Sequence, residues 1–258
     1  MFGRSSIQSA QSSFVRSINV GYSNLLRSIE RLASGSRINR ASDGPADLVI
    51  SEQLRSRIAS LNQEIENTSN LINKYETASS SVSEMRRQLT ELRTTALAAA
   101  DGGFLNESQR AALQADADNL TASFNRNIAQ GEFNSTKLFD GSEGSLADVS
   151  DLGALDLSSP AGAEDAITTI DQKIAEIDSV QIDLGSTIKH DLESRRASLE
   201  VTRQNLVASE SQIRDLDYFK EYSNFIAESL RVKVGISLLS HSFLQSESVL
   251  SLFNARGR

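Results

Sequence analysis

Residues 46–100 contain neither proline nor glycine. Within them a seven-residue ladder runs Leu54, Leu61, Thr68, Tyr75, Val82, Leu89, Ala96. A second row lies beside it, Ile58, Ile65 and Ile72, then Met85 and Leu92 after a shift. That is the seam of a coiled coil with one drift. At about 1.5 Å per residue the run is about 80 Å long. A helix of that length needs a partner of equal length.

The partner is residues 163–216. Ile167, Ile170, Ile174, Ile177, Leu184, Ile188, Leu192, Leu199, Leu206, Ile213 and Leu216 form a second stripe of matching span, with Gly185 as a soft spot inside it. A return of this kind implies antiparallel pairing, with the two ends of the chain brought together.

The connecting segment is punctuated. Asp101-Gly102-Gly103 ends the first long helix. Asn106 with Gln109 is the signature of a capping box, and Leu113, Leu120, Phe124 and Ile128 carry the stripe of the helix it opens. Phe133 and Phe139, with turn residues between them, suit a small hairpin. Residues 141–162 are rich in Gly, Ser, Asp and Leu, and are read as a loop up to the second long helix.

The ends differ from the middle in charge. Of a formal net −8, residues 1–40 carry six arginines against Glu30, a balance of +5, and residues 217–258 carry +1. The middle therefore holds −14. The acidic total argues against a nucleic-acid partner. The ends are also apolar in an unusual way. Phe14, Ile18, Tyr22, Leu25, Ile29 and Leu32 mark one face of a helix over 5–34. Between Phe225 and Phe253, however, Phe225, Ile226, Leu230, Val232, Val234, Ile236, Leu238, Leu239, Phe243, Leu244, Val249, Leu250 and Leu252 wrap most of a helix circumference. Pairing with the N-terminal helix hides one side only. A large apolar remainder marks an interaction surface, and a head-to-tail contact that does not close builds a helical filament. The expectation is that the terminal helices are poorly ordered alone and fold on docking with neighbouring copies. The competing expectation is a stable coiled-coil scaffold with ordered ends that forms no polymer.

Catalytic chemistry has little to stand on. There is no cysteine, and the two histidines, His190 and His241, lie about 50 residues apart. No H-E-x-x-H, G-x-S-x-G or phosphate-binding glycine loop occurs. Asp116 and Asp118 point to different faces of a helix. Arg31, Arg37 and Arg40 could form an anion site, but they read better as solvated linker charges or as salt bridges to a neighbouring copy, with Asp43 and Asp47 following closely as local partners. Asp43 is also the candidate N-cap of the helix that opens with Pro45. No apolar run reaches the roughly 20 residues of a membrane span, and the N-terminal stretch lacks the apolar core of a signal peptide.

Several words in the chain resemble bacterial flagellin: Ile29-Glu30-Arg31-Leu32-Ala33-Ser34-Gly35, Arg37-Ile38-Asn39, Leu54-Arg55-Ser56-Arg57-Ile58 with Leu61-Asn62, the segment Gly131–Gly141, Asp215-Leu216-Asp217-Tyr218, Ser223-Asn224, and Val249-Leu250-Ser251-Leu252. They cover roughly residues 20–140 and 163–253. The resemblance implies a mainly α fold: long antiparallel coiled-coil helices, a small β-hairpin region, and terminal helices forming an inner coiled coil. It implies an inner filament-core domain from 1–44 plus 217–258, with Gly35, Arg37, Asn39 and Asp43 in its linker. A second helical domain over 45–216 carries the hairpin and the short loop at about 131–162. The variable outer domains of larger members are missing.

The same resemblance implies a non-enzymatic structural subunit of the extracellular flagellar filament, exported without a cleaved signal peptide and needing no cofactor. Its partners would be itself or other flagellins, the cap and hook-junction proteins, and an export chaperone on the C-terminal segment, with no nucleic acid and no membrane insertion. Inter-subunit contacts would fall on Phe14, Ile18, Leu25, Ile29, Leu32, Phe225, Ile226, Leu230, Val234, Leu239, Phe243, Leu250 and Leu252. The motif read by the animal flagellin receptor aligns with Glu91–Ala98. Arg93 is kept, Glu91 stands in place of a basic residue, Thr95 in place of Leu, and Asp116 in place of Glu, which implies weak or absent stimulation. Two departures are visible: the family's Ile-Asn-Thr-Asn word is absent near the N-terminus, and Phe253–Arg258 follows the last matching word. The hook–filament junction protein is the nearest alternative, but it usually lacks the Phe133–Gly141 and Asp215–Tyr218 words.

Overall fold

The computed structural model describes residues 2–101 and 105–255, with side chains described over 12–101 and 105–241. In chain order the elements are α1 (Phe2–Ser34), a 3-10 turn (Ala41–Asp43), α2 (Pro45–Ala100), α3 (Glu107–Gln130), β1 (Glu132–Phe133), β2 (Thr136–Lys137), α4 (Pro160–Ser186), a π-helical segment (Thr187–Leu192), α5 (Glu193–Arg214) and α6 (Tyr218–Ala255). The fold is mainly α with one two-stranded antiparallel hairpin. It divides into two compact units, one built from both ends of the chain up to Ala59 and from Gln204, the other from Ser60–Arg203.

In the unit formed by 60–203, α2 and α4 run antiparallel. Gln181 bonds Ser79 at 2.7 Å and Ser83 at 3.4 Å, Asp178 pairs with Arg86 and Asp171 with Arg93. Each step up one helix is a step down the other. α3 folds back along the far end of α2, where Gln88 accepts from Asn127 at 3.0 Å and Arg110 reaches the Ala99 carbonyl. Ala78, Val82, Met85, Leu89, Leu92 and Ala96 of α2 meet Phe124 and Ile128 of α3 and Ile170, Ile177 and Leu184 of α4 in one buried core. The capping box is present: Asn106 accepts from the Gln109 amide at 2.9 Å, and Gln109 accepts from the Asn106 amide at 3.0 Å. The hairpin pairs Glu132 with Lys137 and Phe133 with Thr136. Its turn residues Asn134 and Ser135 both adopt positive φ, 49° and 64°, the twist that two-residue hairpins demand.

Three sequence expectations need correction. The 141–162 segment does not end at 162, because α4 already begins at Pro160, with Ser159 capping it through the Gly162 amide at 3.1 Å. Nor is that segment a plain surface loop. Val149, Leu152, Leu155 and Leu157 are buried in the core, and Asn125 and Gln114 of α3 hold the backbone of Leu152 and Leu157 with 2.8 and 2.7 Å bonds. Finally, 163–216 is not one uninterrupted α-helix. It widens to π geometry at Thr187, two residues past Gly185, where the Glu193 amide reaches back to the Ile188 carbonyl.

In the unit built from the chain ends, α1 and α6 pair antiparallel. Ser28 donates to Glu221 at 2.7 Å. A Cβ at Gly21 would lie 3.0 Å from Val232, and one at Gly235 would lie 2.9 Å from Ile18. Two glycines thus permit an approach that side chains would block. Asp217 opens α6 by accepting from the Lys220 amide at 3.0 Å. Near the start of α2 and the end of α5, Ser51 donates to Glu210 and Arg214 pairs with Glu52 at 3.0 Å.

Candidate assembly surface and linker

The linker is built from opposite ends of the sequence. α1 stops at Gly35, whose φ of 69° suits a residue without a Cβ. A Cβ there would also fall 2.6 Å from the Tyr218 hydroxyl. Ser36 then bridges Asp215: the Arg37 amide donates to Arg214 at 2.7 Å and the Leu216 amide donates to Gly35 at 3.1 Å. Ile38 is buried beside this bridge. Asn39 donates to Ser34 at 2.8 Å.

Asp43 does not cap α2, as the sequence suggested. The first helical bond runs from Leu48 to the Gly44 carbonyl, so Gly44 holds the capping position and Pro45 follows it. The Asp43 carboxylate instead turns back and accepts from the Asn39 and Arg40 amides at 3.3 and 3.0 Å. It is nearly buried, with Arg27 and Arg31 at 3.9 and 3.8 Å. Arg31 also faces Glu221 of α6 at 3.9 Å. Arg37 pairs with Asp47 and Arg40 with Glu30, both at 2.9 Å. The three arginines that might have formed an anion site therefore each have a carboxylate within this unit.

The terminal helices keep much of their apolar surface in solvent. Of the residues read from sequence, Phe14, Ile29, Ile226, Leu230 and Val234 are exposed, Leu230 at 60%, while Ile18, Leu25, Leu32, Phe225 and Leu239 are half-buried. Phe243, Leu250 and Leu252 lie outside the residues whose side chains are described. The sequence reading missed other members of this surface: Val20, Leu26, Tyr222 and above all Phe219, 85% exposed. A groove between α1 and α6, lined by Phe14, Ile18, Val20, Leu230, Val234 and Leu238, runs along it. Gly21 and Gly235, whose close approach joins α1 and α6, were not singled out from the sequence.

The Glu91–Ala98 stretch lies on α2 facing α4. Arg93 forks onto Asp171 at 2.6 and 3.2 Å, and that guanidinium holds the Asp171 carboxyl below the usual carboxylate range. Glu91 pairs with Arg87 at 3.3 Å. The Thr95 hydroxyl donates to the Glu91 carbonyl of its own helix at 3.2 Å. Asp116 is exposed on α3, and among the described residues no hydrogen bond or ion pair joins it to the other three. His190 and His241 are both exposed. Among the described residues no helix is long and apolar enough to cross a membrane.

Fold and surface together define a mainly α-helical protein whose terminal helices present an exposed apolar face. Comparison with known proteins makes the class specific. The family model described as the bacterial flagellin N-terminal helical region matches residues 6–144, and the bacterial flagellin C-terminal helical region matches residues 167–253. Flagellin FlaB2 of Treponema pallidum is 29% identical over 271 residues, covering 90% of this chain and 94% of that one. The flagellar filament 33 kDa core protein of Treponema phagedenis is 29% identical, covering 88% and 91%. A flagellin of Halalkalibacterium halodurans is 28% identical, covering 92% and 94%. The chain belongs to the bacterial flagellin family. It is a structural subunit of the flagellar filament, a family that works by polymerising with itself.

Proposed function

We propose that the terminal helices are the polymerising element, and that 1–44 with 217–258 forms the filament-core domain and 45–216 a second helical domain, with Gly35, Arg37, Asn39 and Asp43 in the linker. The single observation that supports this is the exposed apolar surface of α1 and α6: Phe14, Val20, Leu26, Phe219, Leu230 and Val234 face solvent. Leaving such surface in water is unfavourable by about 25 cal/mol per Å², and neighbouring copies would cover it. The paired linker strands would hold the two ends of α1 and α6 in register while this happens.

On this reading the protein has no catalytic role, and works outside the cell after export without a cleaved signal. Its further partners are a filament cap, the hook-junction proteins and an export chaperone on the C-terminal segment. Arg93 is engaged by Asp171 and Glu91 presents the opposite charge from the stimulating pattern, so the animal flagellin receptor responds weakly or not at all. A reporter cell line exposed to the purified chain checks this, and a strong response refutes it.

The assembly reading is tested by seeding intact protein, and protein truncated before Asp217, with filament fragments. Sedimentation and negative-stain electron microscopy follow growth. Only the intact chain is expected to form long helical fibres. An intact chain that stays a monomer or dimer after seeding supports the non-polymerising scaffold instead.

A further inference from the structure

The two long helices of the 60–203 unit break their repeat at the same level. On the α4–α5 strand the buried and half-buried layers fall at seven-residue steps, Ala163, Ile170, Ile177, Leu184 and then Leu192, Leu199. The one exception is the step of eight from Leu184 to Leu192. One extra residue in a regular helix turns everything beyond it by about 100° and would carry Leu192 and Leu199 off the partner. The chain absorbs that residue by widening: Thr187–Leu192 is π-helical, and the Glu193 amide bonds the Ile188 carbonyl five residues back.

On α2 the ladder Leu61, Thr68, Tyr75, Val82, Leu89 is unbroken, but its companion row is not. It runs Ile65, Ile72, then Ala78, Met85, Leu92, with a step of six in place of seven between Ile72 and Ala78. The companion row therefore crosses from one side of the ladder to the other. The antiparallel register carried by Ser79 and Ser83 with Gln181, and by Arg86 with Asp178, places this step opposite the π segment. The same level is also the edge of the core. The continuous buried cluster begins at Ala78 on α2 and stops at Leu184 on α4, and Leu61, Ile72 and Leu192 are buried outside it. On one side α2 is covered by α3, α4 and the 138–157 segment. On the other the hairpin still flanks Asn67–Lys74, with Lys74 donating to the Gly144 carbonyl, and farther along α2 keeps its long partner.

We propose that Thr187–Leu192 and the facing Ile72–Ala78 step form a built-in joint, at which the two-helix arm of the 60–203 unit flexes against its rigid core. Gly185, whose Cβ position meets open space, lies two residues before it and adds backbone freedom. The extra residue in one helix and the crossing of the companion row in the other fall at the same level, and the π turn weakens the helix locally there.

The test is hydrogen exchange on the intact chain, resolved by residue. Amides of 187–193 are expected to exchange at least tenfold faster than those of 177–184 and of 196–203. Deleting His190, which is exposed, restores a uniform seven-residue step. It is expected to bring exchange at the joint to within threefold of its flanks and to leave the thermal midpoint unchanged or raised. Deleting the exposed Thr169, inside the regular run, is expected to lower the midpoint. Uniform protection through 177–203 in the intact chain overturns the proposal. So does a His190 deletion that melts as low as the Thr169 deletion.

Discussion

At the scale of single residues, the same amino acid does opposite work at different places. Gly235 sits where a Cβ would lie 2.9 Å from Ile18, and Gly185 where a Cβ would meet nothing. Gly235→Leu is expected to push α1 and α6 apart and to lower stability by roughly 1–3 kcal/mol, the range for overpacked sites. Gly185→Ala is expected to raise it by roughly 0.5–1 kcal/mol, because alanine loses less backbone freedom on folding into a helix. Urea titration followed by circular dichroism separates the two, and a stabilising Gly235→Leu contradicts the close approach. Charge works through neighbours in a similar way. Arg93 lowers the pKa of Asp171, Arg87 that of Glu84, Ser142 that of Asp140, Ser158 that of Asp156 and Lys189 that of Glu193. A carboxyl held low in the folded chain binds fewer protons near pH 4 than its unfolded counterpart. Its stabilisation is therefore complete above the unfolded pKa and is lost as pH falls through the folded one. The thermal midpoint is expected to hold steady from pH 7 to about pH 5 and to drop below about pH 4. Asp171→Asn should flatten part of that drop, and a midpoint that rises on acidification contradicts it.

At the scale of elements, what could be read from sequence followed from local rules. The α3 start was legible because Asn106 and Gln109 satisfy each other's amides within one turn. The α2 span was legible because nothing in it breaks a helix. The hairpin was legible from Phe133 and Phe139, and its turn allows a further test. Ser135 adopts φ 64°, a conformation costing an L-residue roughly 1–2 kcal/mol. Ser135→Gly is expected to stabilise by roughly 0.5–1 kcal/mol after glycine's own entropy loss, read by urea titration, and a loss of stability would count against the turn geometry. What was not legible depended on distant partners. Asp43 carries a cap residue's side chain, but the linker turns it back toward Asn39 and Arg40. The 141–157 segment has a loop's composition, but α3 supplies Gln114 and Asn125 to pin it, and so four of its apolar residues become core. The drift in the α2 seam was visible as a shift in spacing. That it faces an eight-residue step on the returning helix required the antiparallel register, which no local pattern states.

At the scale of the whole molecule two sets of apolar residues stand out. One is the closed core of the 60–203 unit, where Val82, Met85, Leu89, Leu92, Phe124 and Ile177 are fully or almost fully shielded. The other is the open face of α1 and α6, where Phe219 is 85% and Leu230 60% exposed. In a flagellin, folding and polymerisation are successive burials, and these populations should fail separately. Leu89→Ala removes core packing and is expected to cost about 2–5 kcal/mol of folding stability. It lowers the thermal midpoint, and below that midpoint the terminal helices still offer their full apolar face to filament seeds. Phe219→Glu with Leu230→Glu changes side chains already in water, where substitutions shift folding by about 0.5 kcal/mol or less. That double variant is expected to melt like the parent chain and yet fail to extend seeds, because each charge would be driven into an apolar contact with no partner. Light scattering of seeded growth beside thermal melts of the unseeded chain reads both. Growth of the double variant at the parent rate would place the assembly surface elsewhere on the molecule. Loss of its helical signal would mean that Phe219 and Leu230 hold the monomer together rather than await a neighbour.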